Sequence, residues 1–170
     1  MTPEQRALLV NLMESSSTLE IVLRGHLLVE AEMIRILEEI VPFPAHIDFD
    51  RFSFAQKTSL VAAHGFIRAN DIGAYRALNK LRNEIAHDLD AEPGPRELAN
   101  LIAAFGPHLR MLKGEVEDDD WQRELGAVVA VLFLALEGER NKFVAHRESV
   151  RRVTADLHSD RESQEEGTRS

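Results

Sequence analysis

Three polar side chains within residues 78–88 have the chemistry to act on a phosphate ester: Arg82, Asn83 and His87. The guanidinium of Arg82 can hold a phosphoryl group by two parallel hydrogen bonds and stabilise the negative charge that builds on it. The imidazole of His87 accepts or donates a proton near neutral pH, and Asn83 can orient a ring nitrogen or a substrate oxygen. We therefore predict these three residues as the catalytic residues of a phosphodiester-cleaving site.

The spacing of these residues predicts how a helix presents them. At about 100° per residue, Asn83 and His87 share one face with Arg76 and Lys80, which we predict to bind substrate. Arg82 lies about 140° from His87 and therefore at the margin of that face, so a second helix or subunit must complete the site. The opposite side of the helix is an apolar stripe that we expect to be buried: Leu78, Leu81, Ile85 and Leu89.

A purely structural role is the alternative for the same residues. Arg82 could pair with a carboxylate at the edge of the bundle, and His87 would then be an ordinary histidine at a helix end. The candidate partners of Arg82 in such an ion pair include Glu20, Glu30 and Glu38.

A second motif with the same residue types lies near the C-terminus. Arg140, Asn141 and His146 repeat the pattern with the histidine one residue further away. Basic residues surround it and are compatible with RNA: Lys142, Arg147, Arg151 and Arg152. Separately, residues 54–82 could form a helix-turn-helix around Gly65 that faces DNA.

Composition narrows the class of protein. A chain of 170 residues with 44% hydrophobic content is long enough for one sizeable core, and we predict a single domain over 1–157 with a disordered tail over 158–170. The net charge of -9 argues against a protein that coats nucleic acid through its overall field, although a local basic face could still bind RNA.

The sequence also indicates whether the protein binds a metal or cofactor and where in the cell it is located. The chain has no cysteine and its histidines lack close ligand spacing, so we expect neither a metal nor a cofactor. The longest apolar run, 125–136, is shorter than the roughly 20 residues of a membrane span. Because the N-terminus also lacks the features of a signal peptide, we expect a cytoplasmic protein without membrane contact.

Apolar residues recur at helical spacing along the chain, and strand-period segments do not stand out. The sequence therefore predicts an all-α fold, a single bundle of five to seven helices. Ser17 and Ser53 open two capping boxes, with Glu20 and Gln56 at the third helical position. The helix that follows Ser17 has an apolar stripe so wide that it indicates either the centre of the bundle or a dimer contact.

The segment Arg82-Asn83-Glu84-Ile85-Ala86-His87 resembles the motif of the HEPN superfamily, an arginine, a polar residue and then a histidine on a helix of a small bundle. The layout from Leu23-Arg24-Gly25-His26 through Ser53-Phe54-Ala55-Gln56-Lys57 to this motif is most similar to the mannitol operon repressor family. The second motif resembles that of HEPN proteins of abortive-infection type. The resemblance to the repressor family covers roughly Thr18 to Leu112.

This resemblance implies a HEPN-like bundle and a metal-independent endoribonuclease that acts as a homodimer on RNA, in a toxin or defence role. An antitoxin or regulatory protein is then the expected partner. In that mechanism His87 acts as acid or base, Arg82 stabilises the phosphorane and Asn83 orients a participant. The repressor-like branch implies the alternative, a non-catalytic transcriptional regulator or protein-interaction scaffold.

Overall fold

The computed structural model describes residues 3–15, 17–87, 93–113 and 120–168, with side chains up to residue 155. Within these residues the chain is helical and contains no strand, which confirms the predicted all-α bundle. Three short 3₁₀ turns, at Pro44–His46, Phe49–Arg51 and Ala69–Asp71, accompany seven α-helices. These are α1 Pro3–Glu14, α2 Thr18–Ile40, α3 Phe54–Ala63, α4 Ile72–His87, α5 Pro95–Ala103, α6 Pro107–Lys113 and α7 Trp121–Thr168.

The chain divides into two compact units, Met1–Glu137 and Gly138–Ser170. The first unit thus ends earlier than the domain predicted over 1–157, because the buried apolar residues of α7 end at Leu136 and polar residues predominate after it. The backbone of α7 is helical as far as Thr168, where the sequence predicted a disordered tail over 158–170. That segment is rich in Glu, Arg and Gln, which have good helix propensity even where no core is present.

Two serines begin the helices that will matter for the site. Ser17 accepts a hydrogen bond from the backbone N–H of Glu20, as predicted, but the Glu20 carboxylate accepts from Ser15 Oγ at 2.9 Å instead of closing a capping box. Ser53 and Gln56 do form the predicted capping box at the start of α3. At the other end of α3, Gly65 takes a φ of 84°, which favours glycine.

The wide apolar stripe of α2 separates into a buried and an exposed part. Its buried part lies in the core with no exposed surface, at Val22, Val29, Met33 and Ile36. Leu19 and Leu27, in contrast, are 51% and 62% exposed. The helix is therefore central to the bundle on one side and presents apolar side chains to solvent on the other.

Two glycines allow α7 to pack closely against the first two helices. A Cβ at Gly126 would lie 2.7 Å from the backbone oxygen of Leu12 in α1. A Cβ at Gly25 in α2 would lie closer than van der Waals contact to the side chain of Val129. Close backbone approach thus sets the place of α2, and with it the place of the polar residues that α2 contributes to the site.

We expect Gly126→Ala to lower the free energy of unfolding by about 1–3 kcal/mol, because the added methyl meets backbone that cannot turn aside. Gly138→Ala in the same helix is the matched control, since nothing lies within 4 Å of its Cβ position and alanine gains about 1 kcal/mol of helix propensity. Urea unfolding of both variants measures the difference. Equal stability of the two variants would contradict the close packing.

Candidate functional site on helix α4

Helix α4 is fixed by its apolar stripe and one buried hydroxyl. Leu78, Leu81 and Ile85 are buried, as the sequence predicted, whereas Leu89 lies outside the described residues. Tyr75 donates its O–H to the backbone oxygen of Leu132 in α7 at 3.0 Å, and burial raises the pKa of this phenol, so it stays a neutral donor. These contacts determine which side of α4 is left for polar groups.

Two of the three predicted catalytic residues are joined in the structure. Arg82 Nη1 donates a hydrogen bond to Asn83 Oδ1 at 3.1 Å, and both side chains are half-buried. The amide therefore holds one branch of the guanidinium and leaves its other N–H groups without a protein partner among the described residues. Such an arginine can still form the paired hydrogen bonds that a phosphate accepts.

Among the described residues, Arg82 forms no ion pair with any of the three carboxylates named for the structural alternative. Glu30 is bonded to Lys57, with 2.8 Å between Oε1 and Nζ. Glu20 is paired with Arg24 at 2.7 Å. Glu38 is exposed and forms no ion pair in the described part of the chain.

His87 is the last residue of α4 and is exposed. No hydrogen bond within the described residues joins it to Arg82 or Asn83. Being one turn after Asn83, it lies on the same side of the helix, where solvent and a ligand can reach it. The structure therefore brings together two of the three predicted catalytic residues and leaves the histidine open.

The two predicted substrate-binding residues are also open to solvent. Arg76 and Lys80 are exposed along the outer side of α4. Lys80 Nζ lies 3.5 Å from Glu84 Oε1, an exposed pair that contributes little to stability. Both cations remain available for phosphate contacts.

A histidine that sequence reasoning did not assign to the site lies next to it. His26, on α2, is only 4% exposed, and its Nε2 is 3.1 Å from Asn79 Oδ1 on α4. Its ring stacks on Phe54 of α3 with 4.3 Å between ring centroids. One signal was present in the sequence, because His26 and Glu30 are four residues apart on a helix whose neighbouring residues are apolar.

Burial is the main reason that His26 favours its neutral form. Burial lowers the pKa of His26 below its ordinary value, against the opposing effects of the Asn79 hydrogen bond and the Glu30 carboxylate. The positive charges of Arg82 and Lys57 lower the pKa further. Arg82 thus affects the pKa of His26 although the two residues are on different helices.

The second motif lies in the unit Gly138–Ser170. Asn141 and His146 are exposed and Arg140 is half-buried. The neighbouring Lys142 is bonded to Glu139 at 2.9 Å. No hydrogen bond joins Asn141 to His146 in the described part of the chain, and both side chains lie on the surface.

Neither a metal-binding cluster nor a membrane span is present among the described residues. The described residues contain no group of three or more histidine, aspartate or glutamate side chains that could hold a metal ion. Within the same residues, no helix has both the length and the apolar character that crossing a bilayer requires. No protein-family model, curated protein or solved structure matches this chain.

We expect the stability of the protein to fall in acid because of His26. A histidine whose pKa is lowered in the folded state stabilises the fold fully above its unfolded pKa of 6.5, and that stability is lost as the pH falls from there through the folded pKa. Urea midpoints at about pH 7.5 and about pH 5 measure this loss. His26→Gln, which cannot be protonated, should lose less stability than the wild type over this interval.

The control is His64→Gln, because His64 is an exposed histidine. This variant should show the same acid loss as the wild type. An acid loss in His26→Gln as large as in the wild type would contradict the assignment of a neutral, buried imidazole.

Proposed function

We propose that this chain is a metal-independent endoribonuclease of HEPN type that acts as a homodimer, in a toxin or defence role. The observation that carries the proposal is that the half-buried guanidinium of Arg82 is held by Asn83 and lacks a carboxylate partner among the described residues. A structural arginine in such a place is ordinarily paired, whereas an unpaired one suits a phosphate ligand.

The chemistry follows from the residue types. The 2′-hydroxyl oxygen of RNA attacks the adjacent phosphorus and gives its proton to the imidazole of His87. Arg82 stabilises the additional negative charge on the phosphorane, while Asn83 holds the guanidinium in place. The bond from phosphorus to the 5′-oxygen then breaks, that oxygen takes a proton, and the products are a 2′,3′-cyclic phosphate and a 5′-hydroxyl.

A homodimer supplies what one subunit lacks. The reaction needs a base for the 2′-hydroxyl and an acid for the leaving oxygen, and this motif has one exposed histidine. Two subunits related by a twofold axis would bring two copies of His87 to one cleft. A monomer mass in light scattering at the concentration of the cleavage assay would count against this composite site.

A second candidate function is a non-catalytic regulator or scaffold that resembles the mannitol operon repressor family and acts through protein contacts. The exposed leucines of α2, Leu19 and Leu27, favour it, because apolar side chains at this spacing are typical of a helix that binds another protein. The same surface is compatible with a homodimer or with an antitoxin as partner. RNA cleavage separates the two functions.

Purified protein incubated with mixed RNA in EDTA should yield 2′,3′-cyclic phosphate ends. We expect His87→Ala to lower kcat by about 10²–10⁴-fold through loss of the proton-transfer group. Arg82→Lys should lower it by about 10²–10³-fold, because lysine cannot give two parallel hydrogen bonds to the phosphorane. Mapping of the RNA ends and single-turnover rates measure both effects.

The matched control is His146→Ala, which removes the exposed histidine of the second motif. It should cleave as the wild type does. Absence of cleavage by the wild type would overturn the proposal and favour the regulator. Full activity of His87→Ala would overturn the assignment of the catalytic site to Arg82, Asn83 and His87. Loss of activity in His146→Ala alone would move the site to Arg140, Asn141 and His146.

A further inference from the structure

A buried polar cluster at the junction of α2, α3 and α4 has no part in the reaction described above. His26 is at its centre, and it is almost completely enclosed. It touches none of the reacting atoms in that scheme, yet its closest polar partner, Asn79, is on the helix that holds Arg82 and Asn83. Asn79 precedes Asn83 by one turn, so the two amides lie on the same side of α4.

Each of the three helices contributes a charged or polar group that faces His26. From α2, Glu30 Oε2 lies 3.9 Å from Nδ1 of the imidazole. From α3, Lys57 lies close enough to affect the ring and holds the other oxygen of Glu30 at 2.8 Å. From α4 come the Asn79 amide and the positive charge of Arg82.

The hydrogen bond to Asn79 defines the form of the ring. A carbonyl oxygen only accepts, so Nε2 of His26 carries the proton and donates it to Asn79 Oδ1. The neutral ring therefore leaves a lone pair on Nδ1, on the side of Glu30. Protonation of Nδ1 would create an ion pair with Glu30 but is disfavoured by the positive charges of Lys57 and Arg82.

We propose that His26 is a positioning residue of the Arg82–Asn83 site, which through Asn79 fixes the side of α4 that receives a phosphate. The inference rests on the proposed function for its ligand, a phosphodiester anion. His26 holds Asn79 by its Nε2–H and is itself held by the stack on Phe54, so α4 cannot rotate about its axis without breaking that bond. Arg82 and Asn83 then stay directed to one place.

Binding of a phosphate at Arg82 has a consequence for His26. The anion offsets the positive charge of Arg82, which is one of the effects that keep His26 neutral. Phosphate binding and proton uptake by His26 are therefore linked, and each favours the other. A residue that only fills the core would not respond to a ligand at Arg82.

The first experiment follows the imidazole resonances of His26 by NMR in the full-length protein as the pH is varied. Arg82→Gln should raise the pKa of His26, whereas Arg6→Gln, an equal change of charge at an exposed site in α1, should leave it unchanged. A 2′-deoxy dinucleoside phosphate, which cannot be cleaved because it lacks the 2′-hydroxyl, should raise the pKa in the wild type but not in Arg82→Gln. A His26 resonance insensitive to both changes would overturn the inference.

The second experiment measures cleavage in two variants of His26. His26→Gln keeps an N–H donor for Asn79 and should retain kcat within a few-fold, whereas His26→Ala frees Asn79 and should lower kcat by about 10²-fold through misplacement of Arg82. Thermal unfolding checks that each variant is folded. Equal rates in the two folded variants would also overturn the inference.

The two proposals can fail separately. The NMR titration needs no turnover, so it still tests the coupling of His26 to Arg82 if the wild type cleaves no RNA. If the wild type cleaves RNA but the pKa of His26 does not respond, the proposed endoribonuclease function stands and the positioning role of His26 is wrong.

Discussion

Polar side chains that are enclosed between helices must find partners inside the protein, and the site on α4 depends on how this requirement is met. His26 and Lys57 are both almost fully buried. Lys57 forms an ion pair with the carboxylate of Glu30, and His26 forms a hydrogen bond with the amide of Asn79. Because Glu30 is bound to Lys57, Arg82 bonds to the Asn83 amide and not to that carboxylate, which distinguishes the candidate site from a structural ion pair.

The charge of the cluster is unbalanced as a result. Within the part of the chain that the structure describes, Lys57 and Arg82 are the cations that affect His26, Glu30 is the anion that faces it, and His26 itself is neutral. A partly enclosed cluster with one excess positive charge is poorly screened by water and therefore attracts an anion more strongly than an exposed arginine does. The overall negative charge of the chain does not remove this local preference, because distant surface charges are screened.

Much of the fold could be predicted from local sequence signals. Ser17 and Ser53 begin helices where the capping rule places them, and α5 and α6 are separate because Pro107 begins the second of them. Glu20 departs from the expected capping box because Ser15 offers its carboxylate a closer partner. The backbone of α7 continues to Thr168, past the buried apolar residues that end at Leu136, because helix propensity persists where core periodicity does not.

Only part of the candidate site could be predicted from the same sequence signals. Helical periodicity placed Arg82 at the margin of the Asn83 face and predicted that a second helix or subunit must complete the site. It could not identify α2 as a neighbour of this part of α4, because Asn79 and its partner His26 are 53 residues apart in sequence. It also left Glu30 open as a partner of Arg82, whereas the packing of α3 on α2 puts Lys57 beside that carboxylate.

Because Lys57 is buried, its chemical reactivity reports how often α3 separates from α2. The sequence has four lysines: the side chains of Lys80 and Lys142 are 78% and 70% exposed, that of Lys113 is 12% exposed, and that of Lys57 is 3% exposed and salt-bridged. Amine-directed acylating reagents therefore modify the exposed lysines in the native state and reach Lys57 only when α3 separates from α2. The rate at which Lys57 is labelled measures how often the junction that supports the site comes apart.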